Sequence, residues 1–210
     1  MANLTFYTNP MSRGRIARWM LEEVGAAYDT VYLSYGDTMK DDEYLSINPM
    51  GKVPAIKHGD TVVTECAGIC AYLADAFPAA SLAPPPTQRG DYYRWMFFAA
   101  GPVESATMNK AMNISSEGHE QMAGYGDFET TRSTLIKAVS GPSYICGEQF
   151  TAADVYVGSQ VAWGLQFGTI PADPALEAYR DRVHARPAYA RATEIDDAAM
   201  AEHGPEMPPT

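Results

Sequence analysis

Nowhere in the 210 residues is there a run of about 18 or more apolar residues, so nothing in the sequence reads as a helix spanning a bilayer. Cysteine is scarce. An odd count of three, with Cys66 and Cys70 four apart, makes no disulfide framework. No histidine stands beside that pair at ligand spacing, and His58, His119, His184 and His203 are scattered, so no metal is expected. Positive charge is short as well: 15 Lys and Arg face 26 Asp and Glu, for a net charge of −11. A surface this acidic repels a phosphate backbone, which excludes nucleic acid as an expected partner. Both halves of the chain are acidic, so an anionic ligand has to be held by local features. The opening MANLTFYTNP lacks the basic segment and apolar run of a secretory signal. A cytoplasmic setting, with reduced and mostly buried thiols, is the expectation.

What is present is enough apolar sequence, 46%, for a packed core. LTFYT (4–8) reads as a buried strand broken by Asn9-Pro10. From Arg13 the period changes: Ile16, Met20 and Val24 recur every four residues, with Ala17 and Leu21 beside them, until Gly25. A second strand is expected near 28–34 and a short helix near 40–47. VPAIK and TVVTE flank His58-Gly59-Asp60, a hairpin signal, and Cys66, Ile69, Cys70, Leu73 and Phe77 follow at helical spacing. The leading strand–helix–strand implies parallel pairing, and the later hairpin is antiparallel. The first 78 residues therefore predict a four-stranded mixed sheet covered by helices.

Residues 79–87 form a proline-rich connector, expected to be stiff and extended. Beyond it no strand signals recur, and 88–210 predicts an all-helical domain. A long helix over 88–112 should kink or end at Gly101-Pro102. Further helices are expected near 127–140, 152–167 and 174–185, with Pro187 opening the last and the tail GPEMPPT frayed. Thr151 and Asp154 have the spacing of a capping box, a structural role.

NPMGKVPAI (48–56) puts a proline at the start of an apolar strand. Two readings stand for Val53-Pro54: an ordinary edge proline, or a cis bond that turns the Val53 N–H and C=O away from the sheet to meet an extended, peptide-like ligand. Thr64-Glu65-Cys66 then opens a helix, whose unpaired N–H groups suit a carboxylate, with Glu65 ready to accept from an ammonium. Glu65 also reads simply as a first-turn acid complementing the helix dipole.

YTNPMSRGR, NPMGKVPAI, TECAGICAYLADAFP, FTAADVYV and HARPAYARA, in that order, resemble the cytosolic glutathione transferase family over almost the whole chain. The likeness is to bacterial, theta/delta/beta-like members of the serine type. It implies a thioredoxin-like N-terminal domain, an all-helical C-terminal domain, and a homodimer. Glutathione is implied as co-substrate and an apolar electrophile as second substrate, in a detoxifying role. It implies that Pro54 is cis, that Val53 pairs its backbone with the cysteinyl part of glutathione, and that Glu65 holds the γ-glutamyl amine. Cys66 stands where the family usually has serine, and Lys40 or Lys52 would meet the glycyl carboxylate.

Such an enzyme must stabilise a thiolate. Bringing a thiol pKa near 8.5 down by about two units needs about 2.7 kcal/mol. The loop after the first strand offers Ser12 for this, like the family's serine, with Tyr7 and Arg13 as alternatives; Ser12 is equally a good helix cap. Cysteine-type members carry a cysteine in this loop; Met11-Ser12 stands here, which argues against disulfide exchange. The second substrate is expected between the two domains, near some of Tyr92, Trp95, Phe98, Met108 and Trp163. Glutathione-dependent isomerisation, dehalogenation, ether cleavage, peroxide reduction or a non-catalytic binding module are the alternatives on the same fold.

Overall fold

The structure is a computed structural model and describes residues 3–203; the GPEMPPT tail, expected to fray, lies outside the described residues. Two compact units divide the chain. The first comprises the residues up to Ala80 together with those from Pro187, and the second spans Ser81–Arg186.

In the first unit β1 (Leu4–Thr8) pairs in parallel with β2 (Asp29–Tyr32) and antiparallel with β3 (Ala55–His58), which pairs antiparallel with β4 (Thr61–Thr64). The order is β2-β1-β3-β4, the four-stranded mixed sheet that the strand signals predicted. Side chains alternate across a strand, and this decides where the aromatics of β1 go. Leu4 and Phe6 are buried, whereas Tyr7 is half-buried and joins a separate cluster with Leu33, Met39, Tyr44 and Ala55. Helix α1 (Gly14–Val24) buries Ile16, Ala17, Met20 and Leu21 and stops at Gly25 with φ 65°, the left-handed cap that glycine adopts without a Cβ penalty. The short helix α2 (Asp42–Ile47) carries Tyr44, and α3 (Cys66–Ala76) follows β4.

The last helix of the chain, α9 (Pro187–His203), departs from the expected assignment of 88–210 to one helical domain: it packs along α1. Its attachment is chemical as well as apolar. Arg18 and Asp196, both almost fully buried, form an ion pair at 2.7 Å, while Tyr28 and Tyr32 accept from the other guanidinium nitrogens at 3.1 and 3.2 Å. Trp19 meets Tyr189 edge-on, and Arg15 reaches Asp197 at 2.8 Å.

The second unit holds α4 (Gly90–Phe98), α5 (Glu104–Ala111), α6 (Phe128–Val139), α7 (Ala152–Gln166) and α8 (Pro174–His184). The expected break at Gly101-Pro102 is neither a kinked end nor a gap. A π-helical turn, Ala99–Val103, carries Pro102 and joins α4 to α5; a proline cannot donate to the preceding turn, and widening the turn accommodates it. The connector is not uniformly extended either: it contains 3₁₀ turns at Pro78–Ala80 and Pro86–Gln88, and Leu82 is buried with its carbonyl taking the Ala152 N–H at 2.8 Å. Asp154 caps α7 as the spacing predicted, accepting from the N–H groups of Thr151 and Ile145 and from the Tyr179 hydroxyl.

Candidate functional site

The site is assembled within the first unit around Asn9. Its buried side chain ties two loops together, donating to the Leu33 carbonyl at 2.8 Å and accepting from the Met11 N–H at 2.9 Å. Leu33 returns the contact, its N–H donating to the Thr8 carbonyl at 2.8 Å. The loop after β1 and the loop after β2 are thus held side by side. Ser12, 7% exposed, donates its hydroxyl proton to the Asn9 carbonyl at 2.7 Å and accepts from the Gly14 N–H at 2.9 Å. The second bond takes up the N–H of the first residue of α1, whose cap position is Arg13. Gly14 is there for space: a Cβ at this position would lie 1.9 Å from Thr8 Oγ1 and 2.9 Å from Ser12 Oγ. Arg13 is exposed on the same loop.

Tyr7 is not brought to this loop. Its ring lies 5.6 Å from that of Tyr44 on the α2 side of the sheet, whereas Phe6, one residue earlier, lies under the Arg18 guanidinium of α1. Strand alternation turns it to that face, which a count of residues to the RGR motif could not reveal.

The opposite side of the site begins at Val53-Pro54. The bond is cis. Among the described residues no hydrogen bond reaches the Val53 N–H or C=O, although the Val53 side chain packs into the cluster beneath α2. The approach to it is firmly built. Lys40 donates to the carbonyls of Met50 and Gly51 at 3.2 and 3.0 Å, and Asn48 donates to the Lys52 carbonyl at 2.8 Å. Lys40 therefore has two of its three protons committed to the loop, while the Lys52 side chain is exposed.

Glu65 stands at the start of α3 with φ 63° and ψ 118°, a conformation that non-glycine residues rarely adopt and that costs of order 1–3 kcal/mol. Its carboxylate is exposed and pairs with no side chain among the described residues. The next N–H groups of the helix, those of Ala67 and Gly68, take no backbone partner among the described residues. Cys66 turns inward: its thiol donates to the Arg13 carbonyl at 3.2 Å, so the start of α3 is bonded directly to the Ser12 loop. Cys70, fully buried, has its thiol pKa pushed well up by desolvation and then by Cys66, which makes it an inert core thiol.

The arrangement offers an extended peptide-like ligand a strand-like backbone edge at Val53, a carboxylate and a helix N-terminus at Glu65–Gly68, and a hydroxyl at Ser12. Residues 2–75 match the model of the glutathione S-transferase N-terminal domain. The chain is similar to glutathione S-transferases over this domain and beyond it. The glutathione S-transferase GstA of Escherichia coli O157:H7 is 27% identical over 165 residues, 77% of this chain and 79% of that one. A glutathione transferase of Methylococcus capsulatus superposes with a TM-score of 0.77 at 26% identity, covering 93% of this chain and 99% of that one. A sphingomonad glutathione S-transferase, solved in complex with glutathione, gives 0.74 at 25%, covering 92% and 98%. The fold expected from the sequence is thereby shown.

One residue of the site has no counterpart among the sequence candidates. Tyr35, on the loop after β2, is exposed, and burial of its phenol raises its pKa against the opposing influence of Ser12 and the Arg13 charge. The only signal it left was position, three residues past the end of β2, in the loop that Asn9 holds at Leu33. Of the aromatic and soft residues expected to line an electrophile pocket, Met108 borders a cavity of about 590 Å³ in the second unit, with Glu104, Ser105, Asn109, Met122 and Tyr125, whereas Tyr92 is buried in the core.

Proposed function

We propose that the protein binds glutathione along the Val53–Glu65 edge, stabilises its sulfur as a thiolate beside Ser12, and transfers it to an apolar electrophile. The observation that carries this reading is Glu65: a strained, exposed acid without a protein partner, set at a helix start whose free N–H groups suit a carboxylate, next to a strand edge with an unpaired backbone. An α-amino acid head presents an ammonium and a carboxylate together. Glu65 takes the first and the N–H groups of α3 the second. The cysteinyl amide lies along Val53, as an added strand would. Cys66 contributes its backbone rather than its thiol, which is already spent on Arg13. The third proton of Lys40, or the Lys52 ammonium, meets the glycyl carboxylate.

The sulfur then falls at the Ser12 loop. A hydrogen bond to a charged group contributes about 1.5–3 kcal/mol, so one donor supplies part or all of the roughly 2.7 kcal/mol the thiolate needs. Ser12 can give up the Asn9 carbonyl at little cost, because that carbonyl keeps the Ser12 N–H at 3.0 Å. Arg13 adds a fixed positive charge. Exposed Tyr93 and Phe97 on α4 suit the homodimer that the resemblance implies, working in the cytoplasm.

The test is turnover of glutathione with a chromogenic aryl halide, followed against pH. Wild type should conjugate with an acidic limb well below pH 8.5, and Ser12→Ala should lose about tenfold in kcat/KM near neutral pH. A wild-type limb at the pKa of free glutathione would show that the protein does not activate the thiol.

A further inference from the structure

The first unit also holds a cavity of about 400 Å³ on the α2 side of the sheet, and neither Ser12, Val53 nor Glu65 lines it. Its floor crosses three strands. Val31 of β2 stands opposite Tyr7 of β1, and Tyr7 stands opposite Ala55, two residues before Lys57 on β3. Residues two apart on a strand share a face, so Tyr7 and Lys57 are diagonal neighbours, about 7–8 Å apart at the backbone. Tyr44 and Ile47 of α2 close the other side.

The polar groups of this floor are unspent. Lys57 is half-buried, yet its ammonium makes no ion pair or hydrogen bond among the described residues, and the half-buried Tyr7 hydroxyl makes none either. Polar groups withdrawn from water without partners are costly, and a ligand that pairs them recovers that cost. The apolar floor is open as well: Val31 is 38% exposed on the face that α2 covers. The wall opposite is fixed. Tyr44 is buried, donates its hydroxyl proton to the Lys52 carbonyl and holds its ring 5.6 Å from that of Tyr7. An ammonium and a phenol O–H side by side are donors suited to a carboxylate, and Val31, Ile47 and the Tyr44 ring offer a surface to an apolar body. Asp41 and Glu43, exposed at the start of α2, line the same cavity and repel a second negative charge on the ligand.

We propose that this cavity is a second binding site, for a small monocarboxylate with an aromatic or apolar body, whose carboxylate is held by Lys57 and Tyr7. The volume lies within the range of small-molecule pockets, about 300–1,000 Å³. The site is built from α2 and the strands alone, so it stands independently of the thiol chemistry at Ser12. Its selectivity follows from the charges: one negative charge is drawn to Lys57, and a dicarboxylate meets Asp41 and Glu43 with its second.

The probe is 3-phenylpropionate, titrated by calorimetry and by amide chemical shifts of the isotope-labelled protein, with 3-phenylpropanol and phenylsuccinate as the uncharged and dianionic controls. Wild type, Lys57→Met and Tyr7→Phe are compared. Lys57→Met keeps an apolar stem and should unfold at the wild-type urea midpoint, so that a loss of binding is not a loss of fold. The expected result is saturable binding by wild type, with shifts centred on Val31, Tyr44, Ile47 and Lys57 and an affinity unchanged by added glutathione. Lys57→Met should weaken binding about tenfold and Tyr7→Phe about threefold, as loss of a charged and of a neutral donor to a carboxylate would. Both controls should bind more weakly than the probe. No saturation at about 10 mM probe overturns the proposal. So does equal affinity for 3-phenylpropanol, which would make the cavity a purely apolar one, or an unaltered affinity in Lys57→Met. Shifts centred on Ser12, Val53 and Glu65, reversed by glutathione, would place the carboxylate at the start of α3 and overturn it as well.

Discussion

Replacing Gly14 by alanine sets two physical effects against each other at the edge of the site. Alanine is the better helix former by about 1 kcal/mol, and Gly14 opens α1 without a left-handed φ, so propensity alone predicts a more stable protein. Packing predicts the reverse. The new methyl would lie 1.9 Å from Thr8 Oγ1 and 3.1 Å from Thr8 Cβ, where contacts under 3.0 Å are essentially never seen. Thr8 cannot swing aside cheaply, because it is fully buried and its branched side chain is stiff at χ1. Overpacking of this kind costs about 1–3 kcal/mol, or more, so a net loss of about 1–2 kcal/mol is expected. The same methyl crowds Ser12 Oγ at 2.9 Å, so conjugation should fall further than stability explains. Urea unfolding gives the answer as a lowered midpoint at unchanged m. Thr8→Ala in the Gly14→Ala background removes the worst contact and should recover part of the loss. A Gly14→Ala protein more stable than wild type would refute the reasoning.

Two further perturbations read the first and second units separately. Asp196→Ala leaves the buried Arg18 guanidinium with tyrosine hydroxyls but no counter-charge, and should cost about 3–5 kcal/mol in urea unfolding; a loss below about 1 kcal/mol would show that the α1–α9 ion pair contributes little. His184 has its pKa lowered to about 4 by burial, then by Arg180. Its folded-state pKa lies below the unfolded value near 6.5, so its neutral form stabilises the protein above pH 6.5 and that contribution is lost as pH falls toward 4. After discounting for its partial exposure, His184→Gln should flatten the pH dependence of unfolding between those limits by about 1–2 kcal/mol, and parallel wild-type and variant curves would contradict it.

Much of the first unit was legible because its signals lie within short windows. The alternation in LTFYT, the four-residue period ended by Gly25, and the hairpin around His58-Gly59-Asp60 each specify an element from adjacent residues. The Glu65 corner was legible for the same reason, since the acid directly precedes the apolar helix. What escaped depends on residues far apart in sequence. Arg18 and Asp196 are separated by 178 positions, and no period in α9 announces that it belongs against α1. Tyr35 sits in a loop with no period at all, and its place near the end of β1 is set by Asn9 on Leu33. Tyr7 shows the converse: its position near the RGR motif was readable, but the face it takes is fixed by strand register.

The central claim is that Glu65 and the start of α3 recognise the γ-glutamyl end of glutathione. Calorimetric titration of wild type and Glu65→Ala with glutathione and with cysteinylglycine, which lacks that end, tests it most directly. The account predicts that Glu65→Ala weakens glutathione about tenfold, equivalent to about 1.4 kcal/mol, and leaves the weaker binding of cysteinylglycine unchanged. Equal losses for both ligands, or none for either, would contradict it.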